Sequence, residues 1–206
     1  KRDFKLGFYC YFDIVKAPAT YDEATGTFST VDDSVFCNDR VFPIIADISA
    51  DYTSSPYAQH NINAKQAYMS WGYLSEQVAS YMYCVRFNNE LVPIDNFNNM
   101  QDWYRFVRTY APLSAYNQGS TLEYGVPTGF GGLRINVANK LSINTEIDFE
   151  ATIQNYFNGV YGAAAPFVKQ VFDEWRMLEA YNKATFSGYA DLRSHWSSGM
   201  ARNKDY

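Results

Sequence analysis

Four carboxylates stand where acid–base chemistry could use them: Asp13, Asp47 and Asp51 at the ends of apolar runs, and Glu123 in a glycine-rich loop that continues YGVPTGFGG. Around them lie side chains suited to hydroxyl-rich ligands. Tyr11, Tyr52, Tyr124 and Phe130 offer stacking faces, and Asn117, Gln118, Asp47 and Arg86 offer directional hydrogen bonds. Rings supply flat apolar surface, and amides and carboxylates supply paired donors or acceptors. Each also has a plainer use. Asp47 can pair with Arg86 on the neighbouring strand, Asp13 and Asp51 can cap turns, Glu123 can stay in water, and the rings can fill a core. Hydrolysis of a glycosidic bond needs two carboxyl groups about 5 to 9.5 Å apart, one as acid and one as base or nucleophile.

Other chemistries are disfavoured. Cys10, Cys37 and Cys84 are widely spaced and form no Cys-x-x-Cys pair, and His60 and His195 are the two imidazoles. Neither a thiolate nor a His-rich metal site is expected, and no cofactor. A net charge of −5 with a pI near 5.0 leaves no basic footprint for nucleic acid. No stretch approaches the roughly 20 apolar residues of a membrane span. The opening KRDFKLGFYCYFDIVK carries Asp13 and Lys16 where a signal peptide would stay apolar, so the chain reads as soluble.

The elements that position these residues follow from the hydrophobic period. Residues 5–12 (KLGFYCYF), 41–48 (VFPIIADI), 79–87 (ASYMYCVRF) and 113–116 (LSAY) read as buried strands. Segment 14–39, with Pro18, Gly26 and a Ser/Thr/Asp cluster, reads as a long loop. Ala64, Ala67, Tyr68, Trp71 and Leu74 recur at helical spacing, as do Met100, Trp103, Val107 and Tyr110 after a start capped by Asp95 or Asn96. Leu133, Val137 and Leu141 mark a helix after the glycine-rich loop. Thr145 and Asp148 suggest a capping box before the stripe Phe149, Ile153, Tyr156, Phe157 and Val160, and Gly162 ends that run. A last helix from Pro166 is expected to bury Phe167 or Val168, Val171, Phe172, Trp175 and Leu178. Strands alternating with helices predict an α/β fold with a parallel sheet.

The run from Gly132 to Trp175, with Leu133-Arg134, Ala138-x-x-Leu141 and the Tyr161-Gly162-Ala163-Ala164-Ala165-Pro166 turn, resembles the end of the bacterial domain-of-unknown-function 4838 family. That family is similar to glycoside-hydrolase-like barrels related to α-glucuronidases. The resemblance implies the C-terminal half, strands five to eight, of a (β/α)8 barrel of the TIM type over residues 1–145. It implies a C-terminal helical pair over 146–182 packed on the barrel, and a tail over 183–206. The chemistry of such a barrel belongs at the C-terminal strand ends.

On that register the places of catalytic carboxylates hold Asn117 and Val85, and Ser49 stands where a Glu sometimes follows the sixth strand. An amide is no general base at neutral pH. The resemblance thus implies a carbohydrate-active barrel fragment, or a non-catalytic carbohydrate-binding or structural module, inactive as an isolated chain. Asp47 and Glu123 are the catalytic candidates, and Tyr11, Asp13, Asp47, Arg86, Asn117, Gln118 and Tyr124 the substrate-binding ones. The expected partners are a carbohydrate and either the other barrel half or a second copy, in an extracellular or cell-surface setting.

Overall fold

A computed structural model describes residues 4–83, 95–118 and 130–185. Four strands, β1 (Leu6–Cys10), β4 (Val41–Ile45), β5 (Ala79–Tyr83) and β6 (Ser114–Gln118), form one sheet in chain order, and every neighbouring pair is parallel. The predicted α/β class and the four predicted strand runs are all present. Between them lie β2 (Ala19–Asp22) and β3 (Thr27–Thr30), then α1 (Ile62–Leu74) and α2 (Phe97–Tyr110). After β6 come α3 (Gly131–Ile143), α4 (Phe149–Tyr161) and α5 (Ala165–Thr185).

Helices cover one face of the sheet. Phe8 of β1 meets Trp71 of α1 edge-on at 5.6 Å, Ser80 of β5 hydrogen-bonds the Tyr68 hydroxyl at 2.5 Å, and Asn117 of β6 hydrogen-bonds Tyr104 of α2. Side chains alternate along a strand, so Cys10, Ile45, Ser80 and Met82 point the same way and are buried. The predicted helix faces are in place, with Ala64, Ala67, Tyr68, Trp71 and Leu74 buried on α1, Met100, Trp103 and Val107 on α2, and Leu133, Val137 and Leu141 on α3. Each large apolar side chain so buried contributes roughly 1.5–3 kcal/mol.

Three expectations are corrected. Segment 14–39 holds the antiparallel β2–β3 hairpin, because Thr, Tyr and Phe alternate on either side of a turn. That turn is closed by the Asp22 carboxylate on the Ala24 amide (2.8 Å) and by Gly26 at φ 70°. The hairpin is fastened to α1, where Phe28 stacks on Tyr73 at 4.4 Å and Gln66 donates to the Tyr21 carbonyl at 3.3 Å. The α4 cap is Asp148 itself, accepting from the Ala151 amide at 2.9 Å, while the Thr145 hydroxyl turns to Glu146. On α5 the inward side carries Ala165, Val168, Phe172 and Trp175. Phe167 (72% exposed), Val171 and Leu178 lie on the opposite side and face solvent, as does Val160 of α4. The α5 stripe is wider than one packed face.

Two further details agree with the sequence. Asn96 is the N-cap of α2, and the carboxylate of Asp95 before it accepts from the Asn98 amide at 3.4 Å and side chain at 2.8 Å. Gly162, at φ 51°, ends α4.

Candidate functional site

The face of the sheet turned away from the helices is lined by tyrosines. In a parallel ladder, partnered residues share a face, so Tyr9 and Ile44 lie with Gly7 and Phe42 on this side. Tyr81 and Tyr116 are partners across β5 and β6, and Tyr83 is the partner of Gln118. The ring centroids of Tyr81 lie 6.1 Å from Tyr9, 5.0 Å from Tyr83 and 4.7 Å from Tyr116. Tyr11 stacks on Tyr83 at 6.4 Å and 28°. Tyr9 and Tyr116 are each 57% exposed. Gly7 leaves room for a ring, since a Cβ there would sit 2.8 Å from Phe42 Cζ.

Burial, and then the neighbouring phenols, push Tyr81 and Tyr83 above the ordinary tyrosine range. The Tyr81 hydroxyl donates to Gln118 Oε1 at 3.0 Å, which holds the amide over the face. Tyr11 and Gln118, two of the predicted binding residues, thus belong to one surface. Asn117 does not: its side chain points into the helix layer and donates to the Tyr104 hydroxyl. Strand alternation puts Tyr116 and Gln118 on the opposite side from Asn117, so an Asn117 expected at a barrel mouth is instead packing against α2.

The loop after β4 is built around two buried carboxylates. Asp47 Oδ1 accepts from the Ser49 amide (2.9 Å) and hydroxyl (2.6 Å). Burial is the larger influence and pushes its carboxyl above the usual range, against the donors of Ser49 and the Ala50 amide. Its expected partner Arg86 lies outside the described residues.

For Asp51 the balance is reversed. Burial again raises its pKa, yet the combined hydrogen bonds from His60, Thr53 and Ser54 prevail and hold it at about 2. His60 Nε2 lies 3.0 Å from Oδ2, and Asn61 ties the loop by accepting from the Asp51 amide and donating to the Asp51 and Ser55 carbonyls. Asp51 is therefore the turn-forming residue of the plainer reading. Composition did not single out His60 and Asn61. The only sequence signal for them was the Thr and Ser spaced two and three residues after Asp51, which marks a carboxylate closing a turn.

Other candidates are placed elsewhere. Tyr52 is buried, its hydroxyl donating to the Asp47 carbonyl at 3.1 Å and its ring lying 4.7 Å from Trp103, so it is no stacking face. Phe130 packs among Phe157, Phe172 and Trp175. Asp13 is exposed in the short turn Phe12–Val15 that follows β1. Glu123, Tyr124 and Val85 lie outside the described residues.

A cavity of about 640 Å³ opens between that turn, the start of the hairpin, the Asp47 loop and α1. It shares no lining residue with the tyrosine face. Among the described residues, no group of three or more His, Cys, Asp or Glu is arranged to hold a metal ion, and no helix is long and apolar enough to cross a membrane.

Comparison with known sequences and structures adds a single identification. Neither the curated proteins nor the solved structures gave a match. The family described as Domain of unknown function (DUF4838) matches residues 30–173, from the end of β3 into α5. That stretch takes in β4, β5 and β6, helices α1 to α4 and the start of α5, and the chain belongs to this family.

Proposed function

We propose that this chain supplies half of a (β/α)8 barrel whose concave inner face binds carbohydrate without supplying the hydrolytic carboxylates. The observation that carries the reading is the tyrosine face itself: parallel strands in simple chain order, helices on one side, and Tyr9, Tyr11, Tyr81, Tyr83 and Tyr116 with Gln118 on the other. Sequential order with one-sided helices suits a barrel wall, whereas a doubly wound sheet reverses its strand order and carries helices on both sides. The face then becomes the barrel interior, and β1 and β6, each paired on one side only, become the seams that the other half would close.

Sugar rings offer C–H faces that stack on tyrosine and hydroxyls that pair with phenol hydroxyls and an amide. The described inward residues include no carboxylate, so neither of the two groups that glycoside hydrolysis requires comes from them. The raised carboxyl of Asp47 belongs to the helix side of the sheet, away from this face.

The test is titration of the 206-residue chain with neutral, acidic and amino oligosaccharides, followed by tyrosine fluorescence and amide shifts. Binding at roughly millimolar affinity, abolished by Tyr81→Ala, is expected for a half site. A flat response to the whole panel, both with this chain and with a complete barrel containing it, refutes the reading. The seams are tested by sedimentation: the isolated chain should self-associate or capture the other half, and a monodisperse monomer that ignores that half counts against the barrel.

A further inference from the structure

We propose that the cavity between the hairpin, α1 and the Asp47 loop is a second binding site, separate from the tyrosine face, for a primary amine carried on a small apolar body. Two nearly inaccessible polar side chains line it. Asp47 is 2% exposed and Ser70, from the middle of α1, is also 2% exposed. No described residue hydrogen-bonds the Ser70 hydroxyl, which leaves it for a ligand in the cavity it lines. Asp47 receives donors only from its own turn, and no cation pairs with it among the described residues.

Thr20, Ser49 and Asn63 also line the cavity but are exposed residues, so the deeper polar lining is Asp47, Gln66 and Ser70. Gln66 uses its Nε2 on the Tyr21 carbonyl, so its Oε1 is the part left for the cavity. The Ser49 hydroxyl is already donating to Asp47. The less exposed part of the wall therefore presents acceptors and a buried carboxyl, and the ligand that complements it brings donors and positive charge. An ammonium group meets both needs, pairing with Asp47 and donating to Ser70.

The rest of the lining is apolar and small-chained, with Val15, Ala17, Ile48 and Ala67, which suits a hydrocarbon body. Lys16 also lines the cavity, as an exposed residue that makes no ion pair with Asp47. At the mouth Phe12 is 59% exposed and held at φ 49°, a conformation that costs a non-glycine residue about 1–3 kcal/mol. A volume of about 640 Å³ falls within the range of small-molecule sites. This inference does not depend on the carbohydrate reading, since the two surfaces have no residue in common.

The experiment is isothermal titration calorimetry of the full chain with phenethylamine at neutral pH, against phenethyl alcohol as the uncharged analogue. The amine should bind at least tenfold more tightly than the alcohol. Asp47→Asn should lose at least tenfold in amine affinity, and Ser70→Leu, which fills the cavity from the α1 side, should abolish binding. Tyr81→Ala should leave it unchanged. No heat with either compound, equal affinity for amine and alcohol, or full amine binding by Asp47→Asn would each overturn the proposal. Where a variant fails to fold, the comparison of amine with alcohol on the unmodified chain still decides it.

Discussion

The two faces of the sheet use the same kind of residue in opposite ways. On the helix side the polar tips of the aromatic rings are committed inside the protein: Trp103 Nε1 donates to the Ser54 carbonyl at 2.7 Å, Trp71 Nε1 to the Val15 carbonyl at 3.0 Å, and Tyr52 to the Asp47 carbonyl. On the other side Tyr9 and Tyr116 are more than half exposed. The first set fixes loops to helices, while the second leaves flat surface and hydroxyls available. Aromatic richness in a sequence thus has two physical meanings, and the partner of the polar tip separates them.

The sharpest way to break this contrast is at Trp103. It is 2% exposed, touches the rings of Tyr52, Tyr68 and Phe106, and joins α2 to the loop after β4. Trp103→Ala should destabilise the chain by about 3–5 kcal/mol in a chemical denaturation series, through the cavity and the lost tie to Ser54. A loss below about 1 kcal/mol would show that this side is not where the fold is held.

Asp51 comes next. Its carboxylate collects four donors from Thr53, Ser54 and His60, and its pKa lies at about 2 against an ordinary 3.8. A depressed folded-state pKa gives stability that is present above the unfolded value and lost as pH falls through the folded one. Roughly 2 kcal/mol should therefore disappear between about pH 4 and pH 2. Asp51→Asn removes acceptors from buried donors, which should cost about 1–3 kcal/mol at neutral pH and flatten the acid limb of the stability profile.

Asp47 has the opposite sign. Burial raises its folded pKa, so its contribution is fullest at low pH and declines as pH rises through the usual carboxylate range and beyond. Asp47→Asn keeps an acceptor for Ser49 and removes the cost of a buried charge. At pH 7 the variant should match or exceed the native melting temperature, and a large drop would mean that a cation pairs with Asp47.

How much of this the sequence disclosed follows from the length of the pattern. The four strands and the long helices were legible because their apolar period is sustained, and the core faces of α1, α2 and α3 follow directly from it. The β2–β3 hairpin was not, since four-residue strands rich in Thr and Ser resemble a polar loop. At β6 the strand was legible but not its phase, since both Asn117 and Gln118 were candidates and they lie on opposite faces. Five residues, Ser114 to Gln118, alternate between faces, and a one-residue difference decides whether Asn117 or Tyr116 joins the tyrosine face. The tyrosine cluster could not be read at all, because Tyr9, Tyr81 and Tyr116 come together only when three strands are placed in register.

The smallest effect on stability is expected at Tyr116, which for that reason is the most informative about function. The residue is 57% exposed on edge strand β6. Its ring contact to Tyr81 lies on the solvent side of the sheet. Truncating an exposed ring usually changes stability by no more than about 0.5 kcal/mol, so Tyr116→Ala should melt close to the native chain. Stacking of an aromatic pair is worth about 0.5–1.5 kcal/mol, and a ring that receives a sugar should be worth a similar amount to the ligand. Tyr116→Ala should therefore weaken oligosaccharide binding about three- to tenfold while leaving the far-ultraviolet circular dichroism unchanged. Tyr116→Phe, which keeps the ring and removes the hydroxyl, should retain most of the affinity. If both variants bind like the native chain and the stability of Tyr116→Ala falls by 2 kcal/mol or more, the ring is structural and the two faces of the sheet are alike after all.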